Sequence, residues 1–119
     1  MGRKDDLVYL KHIFDAMLTI EEYLQNIDYD EFISNRKKLL RDGIVRQIEI
    51  IGEATKNLSD NMRKKYPDIP WKDMAGMRDK LIHSYFGVDF DAVWETAEND
   101  IPTLKGKIQN IIKAEEDNV

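Results

Sequence analysis

The sequence predicts an all-α protein, an up-and-down bundle of four to five helices forming one domain over residues 1–119. Three observations carry that prediction. Glycine (6) and proline (3) are scarce among 119 residues, which favours long helices over a turn-rich β architecture. Apolar residues recur at spacings of three, four and seven along most of the chain, the period of one helix face. An apolar share of 42 % suffices for one hydrophobic core, and the chain is too short for two.

The first helix spans about residues 5–26, with Leu7, Leu10, Phe14, Met17 and Leu24 on one face. Asp5 and Asp6 stand at its start, where carboxylates favour the positive end of the helix dipole. A short helical connection follows around Tyr29–Asn35. The second long helix covers about 37–57, burying Leu40, Ile44, Ile48 and Ile51 and turning Asp42, Arg46, Glu49, Glu53 and Lys56 away. Gly43 and Gly52 each cost about 1 kcal/mol in a helix interior, which suggests close approach by another helix or plain tolerance. Ser59–Lys65 reads as a brief turn, and Tyr66-Pro67-Asp68-Ile69-Pro70 as a break, because proline disfavours helix at the residue before it. Trp71 then opens a helix running to about Tyr85. Gly87-Val88-Asp89 makes a turn, with Asp89 as N-cap of a helix containing Val93 and Trp94. Pro102 either kinks that helix or begins a new one from Ile101 carrying Leu104, Ile108, Ile111 and Ile112; residues 113–119 read as a frayed acidic tail.

Composition removes several chemistries. Cysteine is absent, which excludes disulfide frameworks, thiolate zinc sites and cysteine nucleophiles and is compatible with a reducing, cytoplasmic setting. No apolar run follows Met1-Gly2-Arg3-Lys4-Asp5-Asp6, so no secretory signal is expected, and no stretch approaches the roughly 20 apolar residues of a membrane span. A net charge of −5 counts against a general nucleic-acid binder, DNA included, but leaves room for a local basic cleft that grips RNA. Arg36-Lys37-Lys38 with Arg41, and Arg63-Lys64-Lys65, are candidate patches, although such runs are more often solvated helix faces.

The chemically informative stretch is Met77-Arg78-Asp79-Lys80-Leu81-Ile82-His83-Ser84-Tyr85. On one helix from Trp71, residues Trp71, Met74, Leu81, Ile82 and Tyr85 share a stripe with Arg78 in its middle. A guanidinium cannot shed its proton there, so it must meet a carboxylate, an anion or a water-filled cleft between subunits; Glu49 or Glu53 could supply the carboxylate. Asp79 and His83, four apart, share a shoulder near Gly76, so Asp79 could orient the imidazole and raise its basicity. Arg78 and Tyr85, seven apart, share a face. This group suits RNA cleavage by the RNA's own 2′-hydroxyl, with His83 moving protons at neutral pH and Arg78 stabilising charge on the phosphate. Neither role needs a metal or cofactor, and no acidic cluster with metal-ligand spacing stands out. One histidine does not easily serve both the attacking and the leaving oxygen, whereas a symmetric dimer would supply a second set. Structural roles compete: an ion pair for Arg78, a helix C-terminal dipole partner or a satisfied core residue for His83, core packing for Tyr85.

The segment resembles the signature of the HepT-like branch of the HEPN superfamily, with Arg78, Asp79, His83 and Tyr85 in the signature positions. Ile50-Ile51-Gly52-Glu53-Ala54, Tyr66-Pro67-Asp68-Ile69-Pro70-Trp71, Val93-Trp94-Glu95 and Asp100-Ile101-Pro102-Thr103-Leu104 are similar to the family's flanking blocks in the family's order, over roughly residues 5–112. The resemblance implies a HEPN-type homodimer with a composite cleft, acting as a metal-independent endoribonuclease toxin. Arg78 and His83 would be its catalytic pair and Asp79 the supporting polar residue. It further implies pairing with an MNT-type nucleotidyltransferase antitoxin that transfers AMP to Tyr85, placing bulk and negative charge where the RNA phosphate must bind. The competing expectation, motivated by the acidic net charge, is a non-catalytic dimeric binding module or partner subunit of a nucleotidyltransferase. A plain structural bundle is the third, and it leaves Arg78 on an apolar stripe without purpose.

Overall fold

The computed structural model describes residues 3–83 and 87–118, with Arg3, Lys4 and His83 described by backbone alone. Helix α1 runs Arg3–Leu24 and ends where Asn26 takes a left-handed conformation (φ 62°), a common way to terminate a helix. A short α2 (Tyr29–Phe32) is capped by the Asp28 carboxylate, which accepts from the Glu31 amide at 2.8 Å. A 3₁₀ turn (Asn35–Lys37) then leads into α3 (Lys38–Lys56).

Pairs at either end of each interface fix the helix directions. Ser59, just beyond α3, bonds Asp6 near the start of α1, while Gly43 near the start of α3 lies against the Tyr23 ring near the end of α1. These two helices are therefore antiparallel. The last long helix, α8 (Ile101–Asp117), is antiparallel to α1 as well: Lys11 pairs with Glu116 at 3.0 Å and Glu21 with Lys105 at 2.5 Å. Between α3 and α8 the chain travels along α3 in the opposite sense through α5 (Trp71–Ala75) and α6 (Met77–Leu81). It returns through α7 (Phe90–Glu95) and a π-helical segment (Thr96–Asp100) that runs without interruption into α8. The result is an up-and-down bundle of four legs, the third and fourth built from several pieces. Leu10, Ile13, Met17 and Ile20 of α1, Ile44, Ile48 and Ile51 of α3, and Ile101 and Ile108 of α8 form its sealed core, each no more than 1 % exposed. No helix of the described residues is long and apolar enough to cross a membrane.

Four local expectations are corrected. Ser59–Lys65 is not a mere turn: Asp60–Lys65 form α4, because the Ser59 hydroxyl accepts from the Met62 amide and itself donates to the buried Asp6 carboxylate at 2.7 Å. Asp6 thus serves a contact across the bundle rather than only its own helix end. The helix from Trp71 does not reach Tyr85. It breaks at Gly76 and stops at Leu81, where Ile82 turns extended (φ −121°, ψ 112°). Gly87 and Val88, read as turn, pair antiparallel with His83 and Ile82 as strands β1 (Ile82–His83) and β2 (Gly87–Val88). Gly87 sits at φ 81°, a conformation glycine adopts without strain. Finally, residues 113–117 are helical rather than frayed. Glu115, 1 % exposed, accepts from Lys65 Nζ at 2.8 Å and Tyr66 Oη at 2.5 Å, tying the last turn to the loop after α4. Asp89 does cap α7, accepting from the Ala92 amide at 3.1 Å, and Pro102 stands where the π-helical segment passes into α8 rather than at the start of a separate helix.

Candidate functional site

The candidate site begins with a close helix approach. A Cβ on Gly52 of α3 would lie only 3.3 Å from the Ala75 carbonyl oxygen at the end of α5, so the backbones touch where no side chain intervenes. Because the two elements run in opposite directions, the residue one turn before Gly52 faces the residue one turn after Ala75. Those residues are Glu49 and Arg78. Arg78 Nε donates to Glu49 Oε2 at 3.1 Å, and of the two acidic residues left open by the sequence, Glu49 is the partner.

Arg78 is not in the middle of a buried stripe. Its side chain is 45 % exposed, because the break at Gly76 re-aims α6 relative to α5 and brings Met77 and Leu81 inward instead. Its Nη1 lies 3.5 Å from Asp79 Oδ1, the far limit of a hydrogen bond, and the Asp79 side chain is 75 % exposed. A guanidinium has five N–H donors. With Nε committed to Glu49 and one Nη1 proton leaning toward Asp79, the Nη2 edge stays available to an anion.

His83 lies beyond the end of α6, in β1, with its backbone opposite Gly87. The helical i, i+4 geometry expected for Asp79 and His83 therefore does not hold. Tyr85 lies outside the described residues, as does Ser84. The structure thus brings Arg78, Asp79 and Glu49 together and sets the His83 backbone two residues past the same helix. Asp89 N donates to the Leu81 carbonyl at 2.9 Å, so the start of α7 closes the hairpin back onto the helix end. A separate groove of about 470 Å³ on another flank of α6, reaching Lys80, Asn99 and Lys107, includes neither Arg78 nor Asp79.

The two basic runs are partly structural. Arg41 is buried, donating through Nη1 to the carbonyls of Phe32 (2.7 Å) and Ser34 (2.6 Å), with its guanidinium 4.8 Å from the Phe90 ring centroid. Arg63 Nη2 donates to the Leu58 carbonyl at 2.9 Å, and Lys65 is the partner of Glu115. Neither run offers all its charges to solvent. Sequence reasoning missed Tyr9 and His12 of α1 and the groove they share with α3, since only the packing of two distant segments creates it.

A family model described as Ribonuclease HepT-like matches residues 13–111. Two proteins of Methanocaldococcus jannaschii are similar over nearly their whole length. "Putative RNase MJ1216" is 47 % identical over 113 residues, covering 95 % of this chain and 92 % of the relative. "Putative RNase MJ0125" is 46 % identical, covering 95 % and 96 %. "Probable ribonuclease HepT" of Thermococcus cleftensis is 45 % identical over 105 residues, covering 88 % of this chain and 94 % of its own. No solved structure gives a significant match. With the matched region enclosing the helix contact, Glu49, Arg78 and His83 alike, the chain belongs to the HepT-like ribonuclease family.

Proposed function

We propose that this member of the HepT-like ribonuclease family is a metal-independent endoribonuclease, the toxin of a toxin–antitoxin pair, active as a homodimer with a composite cleft. Arg78 stabilises the charge that builds on the phosphate oxygens, and His83 moves protons at the reacting oxygens. The RNA 2′-oxygen attacks the adjacent phosphorus and loses its proton to a base. The bond from phosphorus to the 5′-oxygen breaks, and that oxygen takes a proton from an acid. The products are a 2′,3′-cyclic phosphate and a 5′-hydroxyl end. Two copies of His83 across a dimer supply the base and the acid. Asp79 supports the pair, and Tyr85 is the acceptor of AMP from an MNT-type nucleotidyltransferase.

The observation that carries this reading is the state of Arg78. A permanent cation is held by one nitrogen to Glu49 and keeps 45 % of its side chain open to solvent. Arg41, by contrast, is closed to any ligand: its Nη1 donates to two protein carbonyls and its Nε is buried without an acceptor among the described residues. Glu49, by gripping the Nε edge, limits the rotamers of Arg78 and turns its remaining donors outward.

The test is RNA cleavage by purified wild type and His83→Ala in EDTA, with intact mass recorded to show whether Tyr85 carries AMP. Cleavage by unmodified wild type and none by His83→Ala is the expected result. No cleavage of total cellular RNA by unmodified, dimeric wild type would instead favour a binding module that partners a nucleotidyltransferase, a reading consistent with the net charge of −5.

A further inference from the structure

Beside Arg78 runs a second concavity with a different chemical character. Helices α1 and α3 enclose a groove of about 180 Å³ lined by Tyr9, His12, Arg46, Glu49 and Glu53, with Asn57 at one end. Glu49 belongs both to this groove and to the Arg78 ion pair, so the two sites are continuous. Tyr9 and His12 stand one turn apart on α1 with their rings edge-to-face, centroids 6.2 Å apart and planes at 85°. Asn57 is braced by its own amide, which donates to the Glu53 carbonyl at 3.0 Å. Among the described residues neither Arg46 nor Glu53 makes an ion pair, and both are exposed.

The lining selects its ligand. Two carboxylates repel a phosphate, so the backbone of a nucleic acid does not belong here. The volume lies below the ~300–1,000 Å³ of pockets for drug-sized molecules and suits one planar ring system. Aromatic side chains offer stacking faces or edges, as proteins do for unpaired bases of single-stranded RNA. Glu49 and Glu53 accept hydrogen bonds from ring N–H and amino groups, and Arg46 donates to ring nitrogen and carbonyl acceptors. Guanine carries both sets: adjacent N1–H and N2–H donors on one edge, and the O6 and N7 acceptors that arginine binds in a bidentate manner.

We propose that this groove is a nucleobase subsite, with guanine preferred, which holds the base of a nucleotide flanking the phosphate bound at Arg78. The placement of that phosphate rests on the ribonuclease reading above; the guanine preference does not. In the subsite the base is gripped by Glu53 and Arg46 and stacked on His12 or Tyr9, and Glu49 links base recognition to the catalytic arginine.

The experiment titrates the full-length protein with GMP, AMP and CMP, followed by amide chemical shifts, and repeats the titration with folded Glu53→Ala and His12→Ala variants. All three nucleotides carry the same phosphate, so any difference among them reports the base. The expected result is GMP binding about tenfold or more tighter than CMP, the discrimination of one good bidentate pair. Shifts should centre on residues 9–12 and 46–57, Glu53→Ala should abolish the preference, and His12→Ala should weaken all three. Equal affinities for the three nucleotides, or a guanine preference that survives Glu53→Ala, overturn the subsite. Mapping of cleaved RNA ends separates the two readings. Cleavage by a protein that binds the three nucleotides equally leaves the ribonuclease and removes the subsite; selective GMP binding without cleavage does the reverse.

Discussion

Arg41 and Arg78 are both arginines on helices of one small bundle, and their surroundings are opposite. Arg41 sits at the start of α3 with its guanidinium sealed under Phe90, satisfying two carbonyls of the α2–α3 connection. Arg78 sits on α6 with Nε on Glu49, Nη1 leaning toward Asp79 and the Nη2 edge toward solvent. The first arginine fastens the α2–α3 connection, closing on the Phe32 carbonyl and joining the Lys37 amide at the Ser34 carbonyl. The second is itself fastened, by a carboxylate on a neighbouring helix. Arg41 is closed off, its Nη1 on protein oxygens and its Nε buried, whereas Arg78 has one edge held and the other left open.

The sharpest way to break the comparison is to delete each cation and ask which property fails. Arg78→Ala is expected to reduce RNA cleavage by about 100- to 1,000-fold, the usual loss when a donor to transition-state charge is removed. Its melting temperature should move by less than about 3 °C, because exposed positions contribute little to stability. Initial-rate assays with a parallel thermal melt check both halves, and a large drop in melting temperature would make Arg78 a structural residue. Arg41→Met should show the mirror image, about 2 kcal/mol of stability lost by urea denaturation, because the buried Phe32 carbonyl loses its donor while the Ser34 carbonyl keeps the Lys37 amide. Cleavage per folded molecule should be unchanged. Glu49→Gln gives the smallest effect and refines the picture. The half-exposed pair contributes at most about 1 kcal/mol to stability. Weaker anchoring of Arg78 should lower kcat about three- to tenfold, less than the ~100-fold that full misplacement of a reacting group can cost. A rise in kcat would mean that Glu49 restrains Arg78 rather than positions it.

The contrast also explains which parts are legible in the sequence. Helices α1 and α3 are, because long stripes such as Ile44, Ile48 and Ile51 bury one face without interruption. The third leg is only half legible. Its apolar spacing continues past Gly76 and past Leu81, so a single-helix projection puts Arg78 inside and Asp79 under His83. The chain instead resets its phase at Gly76 and leaves the helix at Ile82, where pairing with Val88 supplies the backbone partners that another turn would have given. Arg41 escapes for the converse reason. It stands among Arg36, Lys37 and Lys38 like one more surface charge, and only the fold of the preceding loop supplies the carbonyls that draw it in. The Glu49–Arg78 pair is legible as one of two candidates, Glu49 or Glu53, and the antiparallel contact at Gly52 selects between them. The groove of Tyr9 and His12 depends on residues more than 30 positions apart and leaves no local pattern.

The Gly52–Ala75 contact has a mechanical meaning. It acts as a fulcrum, and Arg78 sits on a short arm three residues on, just past the break at Gly76. A tilt of about 10° about that point moves the backbone of Arg78 by under about 1 Å, within the slack that a flexible ion pair absorbs. A change in separation is not diluted in this way: any side chain that thickens the fulcrum lifts the whole arm and pulls Arg78 from Glu49 by the full amount. The site is thereby tolerant of rocking and intolerant of spacing, a short lever whose calibration is set by the one atom that Gly52 lacks.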